Sequence, residues 1–250
     1  MTKSSHTLLL ALAALAAAMW LGTSTAAQEV ASAQQAPQER IAAIKQALQA
    51  SAVALREYEW IETTIVSHKG EEKKRTQQRC YYGADGTVQK ISLDEPAAEA
   101  SSGGRGRRRG SRVVARVVER KVDAITEFME QAVATVHAYL PPDPAGLQQA
   151  KDAGRVSMQP LTPGESARVA FADLVKTGDA LSIDLDLAAN RILAIAVASY
   201  VEEPDDVVSL SVTFGELTGG ISYQSEIVLD APTQDVKVVV QNTGYRKQVP

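Results

Sequence analysis

The sequence is short of the residues that most often perform chemistry. It holds one cysteine, three histidines and 5% aromatic residues in 250 positions. A single cysteine, Cys80, excludes an internal disulfide and a cysteine-held metal cluster. Cys80 lies in Arg79-Cys80-Tyr81-Tyr82, which reads as a strand with neither a histidine nor a helix start nearby to activate a thiol. It is expected as a small buried hydrophobe. His6, His68 and His137 form no HExxH and no paired ligand spacing, so no metal site is expected. Gly-x-Ser-x-Gly is absent, because Pro163-Gly164-Glu165-Ser166-Ala167 lacks the second glycine and leads into a strand. Gly103 to Gly110 is glycine-rich but follows no strand-to-helix turn, which excludes a phosphate loop and a dinucleotide fingerprint. The expectation is a protein without cofactor and without catalysis. With few aromatics, alanine and valine supply much of the core.

What is present begins with an export pattern. Lys3 precedes an uncharged apolar run, Leu8 to Leu21, and Thr25-Ala26-Ala27 offers a small-residue exit. At about 1.5 Å per residue that run spans roughly 21 Å, short of a ~30 Å hydrocarbon core. Residues 1–27 therefore read as a cleavable signal, and Ala31-Ser32-Ala33 is a second candidate exit. The only cysteine is far from either exit, so lipid attachment is not expected. No later stretch is apolar enough to span a membrane as a helix. The mature chain is expected in the periplasm or secreted, without a permanent membrane span.

Residues 28–38 are rich in Ala, Gln and Pro and read as a disordered segment. From Arg40, Ile41, Ile44, Leu48, Ala52, Leu55 and Tyr58 form one helix stripe, and the pattern changes near Tyr58. Tyr58 to Val66, Lys73 to Tyr82 and Thr87 to Leu93 read as a three-strand meander. A long helix is expected to start between Ser111 and Arg120 and to stop at Pro141-Pro142. Asp143-Pro144 then restarts a short helix as cap and first-turn proline. About six strands follow. Leu181 to Leu187 and Val208 to Phe214 alternate apolar and polar residues, the mark of one-face-wet antiparallel strands. Ile192 to Val201 is apolar on both faces, so it is expected to be central, with a helix over its alanine face. The fold expected is α+β: a curved antiparallel sheet, a half-open barrel, with helices packed on its concave side. It would be one domain over 39–250, with two subdomains, 38–93 and 155–250, as the alternative.

Charge is unevenly placed. The chain carries −4, or −5 once Lys3 leaves with the signal, which favours neither nucleic acid nor membrane as a bulk partner. Yet residues 105–121 hold eight of the 26 basic residues against one acid, a +7 segment that leaves the remainder near −12. It opens in a stretch, 94–112, that reads as a flexible Arg/Gly-rich loop. Arg105, Arg107, Arg108, Arg109 and Arg112 are candidate contacts for an anionic group. A solvated linker lying against the protein's own acidic surface is the alternative. Tyr58 and Trp60, two apart on one strand, are candidate pocket aromatics or anchors for the preceding helix. Asp184-x-Asp186 and Glu202 to Asp206 carry carboxylates in no ordered calcium loop, so solvated surface is expected there.

The signal, the first helix running into Tyr58–Val66 and the late hairpins of Leu181–Val240 together resemble, in architecture, the periplasmic lipoprotein-carrier (LolA/LolB-like) half-barrel proteins. The stretch Leu55-Arg56-Glu57-Tyr58-Glu59-Trp60 is also similar to one found in uncharacterised exported bacterial proteins. The first resemblance implies a sheet that cradles helices around an apolar cavity. No motif transfers residue by residue. The expected function is an exported, non-enzymatic binding or carrier module for an apolar or amphipathic ligand in the bacterial envelope. Lipid, lipoprotein or another envelope protein is the candidate partner. An envelope protein–protein adaptor with no small-molecule ligand is the alternative.

Overall fold

The computed structural model describes residues 29–94, 111–140 and 143–248. Helix α1 (Glu29–Ala54) leads through a 3-10 turn into strands β1 (Tyr58–His68), β2 (Glu71–Tyr82) and β3 (Val88–Ser92). Helices α2 (Ser111–His137) and α3 (Pro144–Asp152) follow. The rest is strand: β4 (Val156–Thr162), β5 (Ser166–Ala172), β6 (Ala180–Asp186), β7 (Arg191–Tyr200), β8 (Val207–Leu217), β9 (Ile221–Ala231) and β10 (Val236–Lys247). Asp143 caps α3 as its sequence implies, accepting hydrogen bonds from the Ala145 and Gly146 amides.

All ten strands form one antiparallel sheet in the order β3-β2-β1-β10-β9-β8-β7-β6-β5-β4. The sheet is curved and does not close, since β3 and β4 remain as edges. The fold is the α+β half-open barrel that the alternation of residues implies. Pairing of β1 with β10 joins the early meander to the late strands, from Tyr58 opposite Lys247 to His68 opposite Val236.

The core sits between the helices and one half of the inner face. Val208, Leu210, Val212 and Phe214 of β8 point inward, while Ser211 and Thr213 face water. They meet Ile44 and Leu48 of α1, Ala132 and Val136 of α2, and Leu147 and Ala150 of α3. The helices pack mainly on β5, β7, β8 and β9, so among the described residues little covers the inner face of β10, β1, β2 and β3.

A polar knot locks the end of α2 to this core. Just past the helix, fully buried Tyr139 donates its hydroxyl to Asp179 at 2.5 Å and lies 2.9 Å from the Ser199 hydroxyl. Asp179, 2% exposed, also accepts from the Leu174, Val175 and Lys176 amides. Its buried charge is thereby satisfied entirely by donors.

Three expectations need correction. Residues 29–38 belong to α1 rather than to a disordered segment. Ala, Gln and Glu are strong helix formers, and the helix continues through Pro37 at the loss of one backbone hydrogen bond. Helix α2 begins at Ser111, so residues 111 and 112 are helical, while 95–110 of the expected loop lie outside the described residues. On β7 the helices cover the large residues, not the alanines. Ile192, Ile195 and Val197 are buried, and Ala198 on the other face is exposed. A bulge opposite Asp184/Leu185 inserts Leu193 between Ile192 and Ala194. It turns Ile192 inward, where a branched side chain gains more from burial than alanine does.

Candidate ligand-binding site

The uncovered half of the inner face holds a cavity of about 270 Å³. Alternation along β1 points Trp60, Glu62 and Thr64 into it, and β3 adds Val88 and Lys90. Strand β2 contributes Tyr82 to the wall. Leu55, from the turn that ends α1, closes one side.

Two bulges build the opposite wall. On β10 the register with β1 slips between Glu59/Arg246 and Ile61/Thr243, placing one extra residue in β10. Gly244 takes the slip at φ 65°, a left-handed conformation that suits glycine. As a result Asn242 and Tyr245, three apart, both face the cavity. On β9 the register with β8 slips between Glu226 and Gln224, and Gln224 and Ile227 both face inward for the same reason.

The aromatic wall is a connected cluster. Trp60 stacks on Tyr245 with ring centroids 5.5 Å apart and meets Tyr82 at 5.7 Å. Tyr245 in turn touches Tyr223 at 4.4 Å. Burial pushes the Tyr82 phenol up to about 12 and raises that of Tyr245 further. Both hydroxyls stay protonated across the physiological range.

The polar groups are fixed in pairs. Trp60 Nε1 donates to Asn242 Oδ1 at 3.1 Å, and Asn242 Nδ2 donates to the Gln224 carbonyl at 2.9 Å. Lys90 Nζ reaches both oxygens of buried Glu62, at 2.6 and 2.8 Å. This bridge crosses β2 above Cys80, which pairs with both Trp60 and Lys90. A small residue there leaves room for the lysine stem. Cys80 is fully buried, and burial, followed by the charge of Glu62, pushes its thiol up to about 11. Gln224 differs from the other polar groups. It is 6% exposed, and its Nε2 has no hydrogen-bond partner among the described residues.

The sequence-predicted residues fare unequally. Trp60 lines the cavity, whereas Tyr58 lies outside the lining, with the Lys247 ammonium 5.9 Å from its ring centre. Arg105, Arg107, Arg108 and Arg109 lie outside the described residues, and Arg112 falls in the first turn of α2. Asp184 is held by Arg168 at 2.6 and 2.8 Å. Asp186 is held below its usual range by the Ala189 amide and by Arg191. Sequence reasoning missed Glu62, Lys90, Gln224, Asn242 and Tyr245. The sequence offers no signal for the last three: Gln224 is followed by Ser225 and Glu226, and Asn242 and Tyr245 lie in the polar run Gln241-Asn242-Thr243-Gly244-Tyr245-Arg246.

No protein-family model and no curated protein matches the chain. Among solved structures it is similar to a DUF1329 family protein from Desulfovibrio piger, with 8% identity, a TM-score of 0.34, and coverage of 83% of this chain and 92% of that one. It is similar to a LolA superfamily protein from Nitrosomonas europaea at the same identity and TM-score, covering 83% of this chain and 94% of that one. The structure of the Pseudomonas aeruginosa MucA/MucB complex is more distant, with 10% identity and a TM-score of 0.19 over 82% of this chain and 99% of that one. At these identities and TM-scores no residue, activity or partner carries over to this chain.

Proposed function

We propose that the protein is an exported, non-enzymatic binding or carrier module that holds an apolar or amphipathic ligand on the inner face of its sheet. It would work in the periplasm or be secreted, an assignment that rests on residues 1–27, outside the described residues. Among the described residues no helix is long and apolar enough to cross a membrane. The observation that carries the reading is the division of the inner face. Helices fill the half over β5 to β9, and the other half keeps an aromatic-walled cavity.

At about 270 Å³, the cavity lies near the low end of small-molecule sites, roughly 300–1,000 Å³. That size suits one small molecule or one chain better than the several acyl chains of a lipoprotein. In this reading Arg105, Arg107, Arg108, Arg109 and Arg112 meet an anionic head group outside the cavity. The test is native mass spectrometry of the mature protein purified from the periplasm, together with flotation on phosphatidylglycerol vesicles at low salt. A bound mass that solvent extraction removes is the expected result. A ligand-free mass and no vesicle binding would overturn the reading.

A further inference from the structure

The cavity constrains charge and hydrogen bonding, and a buried donor without a partner among the described residues bears on what it accepts. Glu62 and Lys90 neutralise each other within the wall. A charged ligand would upset that balance beside the buried Glu62 carboxylate. Trp60 and Asn242 already satisfy each other, and the Asn242 amide nitrogen is engaged by the Gln224 carbonyl. That leaves Gln224 Nε2, on a side chain 6% exposed, as a donor with no partner among the described residues. Leaving a buried donor unmatched is costly, and such groups are rare enough to call for an explanation. The Trp60, Tyr82 and Tyr245 rings supply flat apolar surface beside it.

We propose that the cavity takes a small, neutral, ring-containing molecule whose carbonyl oxygen or ring nitrogen accepts a hydrogen bond from the Gln224 amide. The inference rests on the binding-module reading and narrows its ligand to a neutral one, so that any anionic head group met by the arginines belongs to a different molecule. A planar ring lies against the aromatic cluster, the acceptor meets Gln224, and Lys90 stays committed to Glu62.

The experiment titrates the full-length protein with 2-quinolone, with naphthalene, which has the same shape but no acceptor, with 2-naphthoate and with decanoate. Quinolone is expected to bind at least tenfold more tightly than naphthalene and more tightly than naphthoate. In Gln224→Leu that preference should shrink to within twofold, with the Tm not lowered, because an unmatched donor has been removed. A readout that needs no variant is the Gln224 side-chain amide signal in a 15N spectrum. It should move on saturation with quinolone and stay still with naphthalene. Equal binding of quinolone and naphthalene, or a preference that survives in Gln224→Leu, overturns the inference. Binding of decanoate with no binding of the ring compounds overturns it too, while leaving the binding-module reading intact. If no probe binds and the purified protein carries no ligand, both fall together.

Discussion

Two side chains in the cavity wall show how much a single position decides. Glu62 is buried and Lys90 is its partner, with the lysine about one third exposed. Lys90→Met would strand the carboxylate in an apolar setting. The expected loss is about 2–3 kcal/mol, below the range for a fully buried pair because water reaches the lysine. Urea unfolding checks it, and the double change Glu62→Leu with Lys90→Met should recover most of the loss. Cys80 gives a pH dependence. Below pH 9 folded and unfolded chains both keep the thiol proton. Between 9 and about 11 only the folded chain keeps it, so stability falls as pH rises through that window. Tyr82, raised to about 12, extends the fall upward. Thermal melts should be flat from pH 7 to 9 and decline above it, and Cys80→Ala should soften the first part of the decline. A thiol reagent at pH 8 should label Cys80 only as fast as the protein opens.

At the scale of elements, turns and bulges decide where side chains point. Gly215 on β8 lies under the Tyr223 ring, and an added Cβ would come within 2.7–2.9 Å of three of its atoms. Gly215→Ala should push Tyr223 off Tyr245 and cost about 1–3 kcal/mol, measured by thermal unfolding. The loop between β5 and β6 depends on Asp179, which gathers three amides and the Tyr139 hydroxyl. Asp179→Ala leaves three part-buried amides unmatched and the Tyr139 hydroxyl with Ser199 alone, and a loss of about 3 kcal/mol is expected. The helices and strands themselves were legible because their periods survive: Asp143-Pro144 marks a helix start, and Val208 to Phe214 alternates cleanly. The candidate site was legible only at Trp60. Gln224 and Tyr245 face the cavity because bulges shift the phase of β9 and β10, and a strict two-residue period assigns them wrongly. Glu62 and Lys90 meet across an intervening strand, a pairing that spacing along the chain does not contain. On β7 a bulge likewise turns Ile192, in place of Leu193, to the covered face.

The whole molecule is held by its first and last strands. Because β1 pairs on one side with β2 and on the other with β10, removing β10 would separate the meander from the core rather than trim an edge. Unfolding is therefore expected as one transition. Fluorescence of Trp60 on β1 and far-UV circular dichroism of the whole chain should give coincident denaturant curves. Two separate midpoints would show that the meander melts by itself.

The same pairing has a consequence in time. The Trp60–Asn242 hydrogen bond spans 182 positions, and contacts of such long range form late because the intervening chain must first be brought together. A growing chain can fold its early hairpin but cannot seat it until β10 has been made. On the export proposed above, that delay would leave the chain loose enough to thread through a translocation pore, with its cavity assembled only once the final strand has crossed.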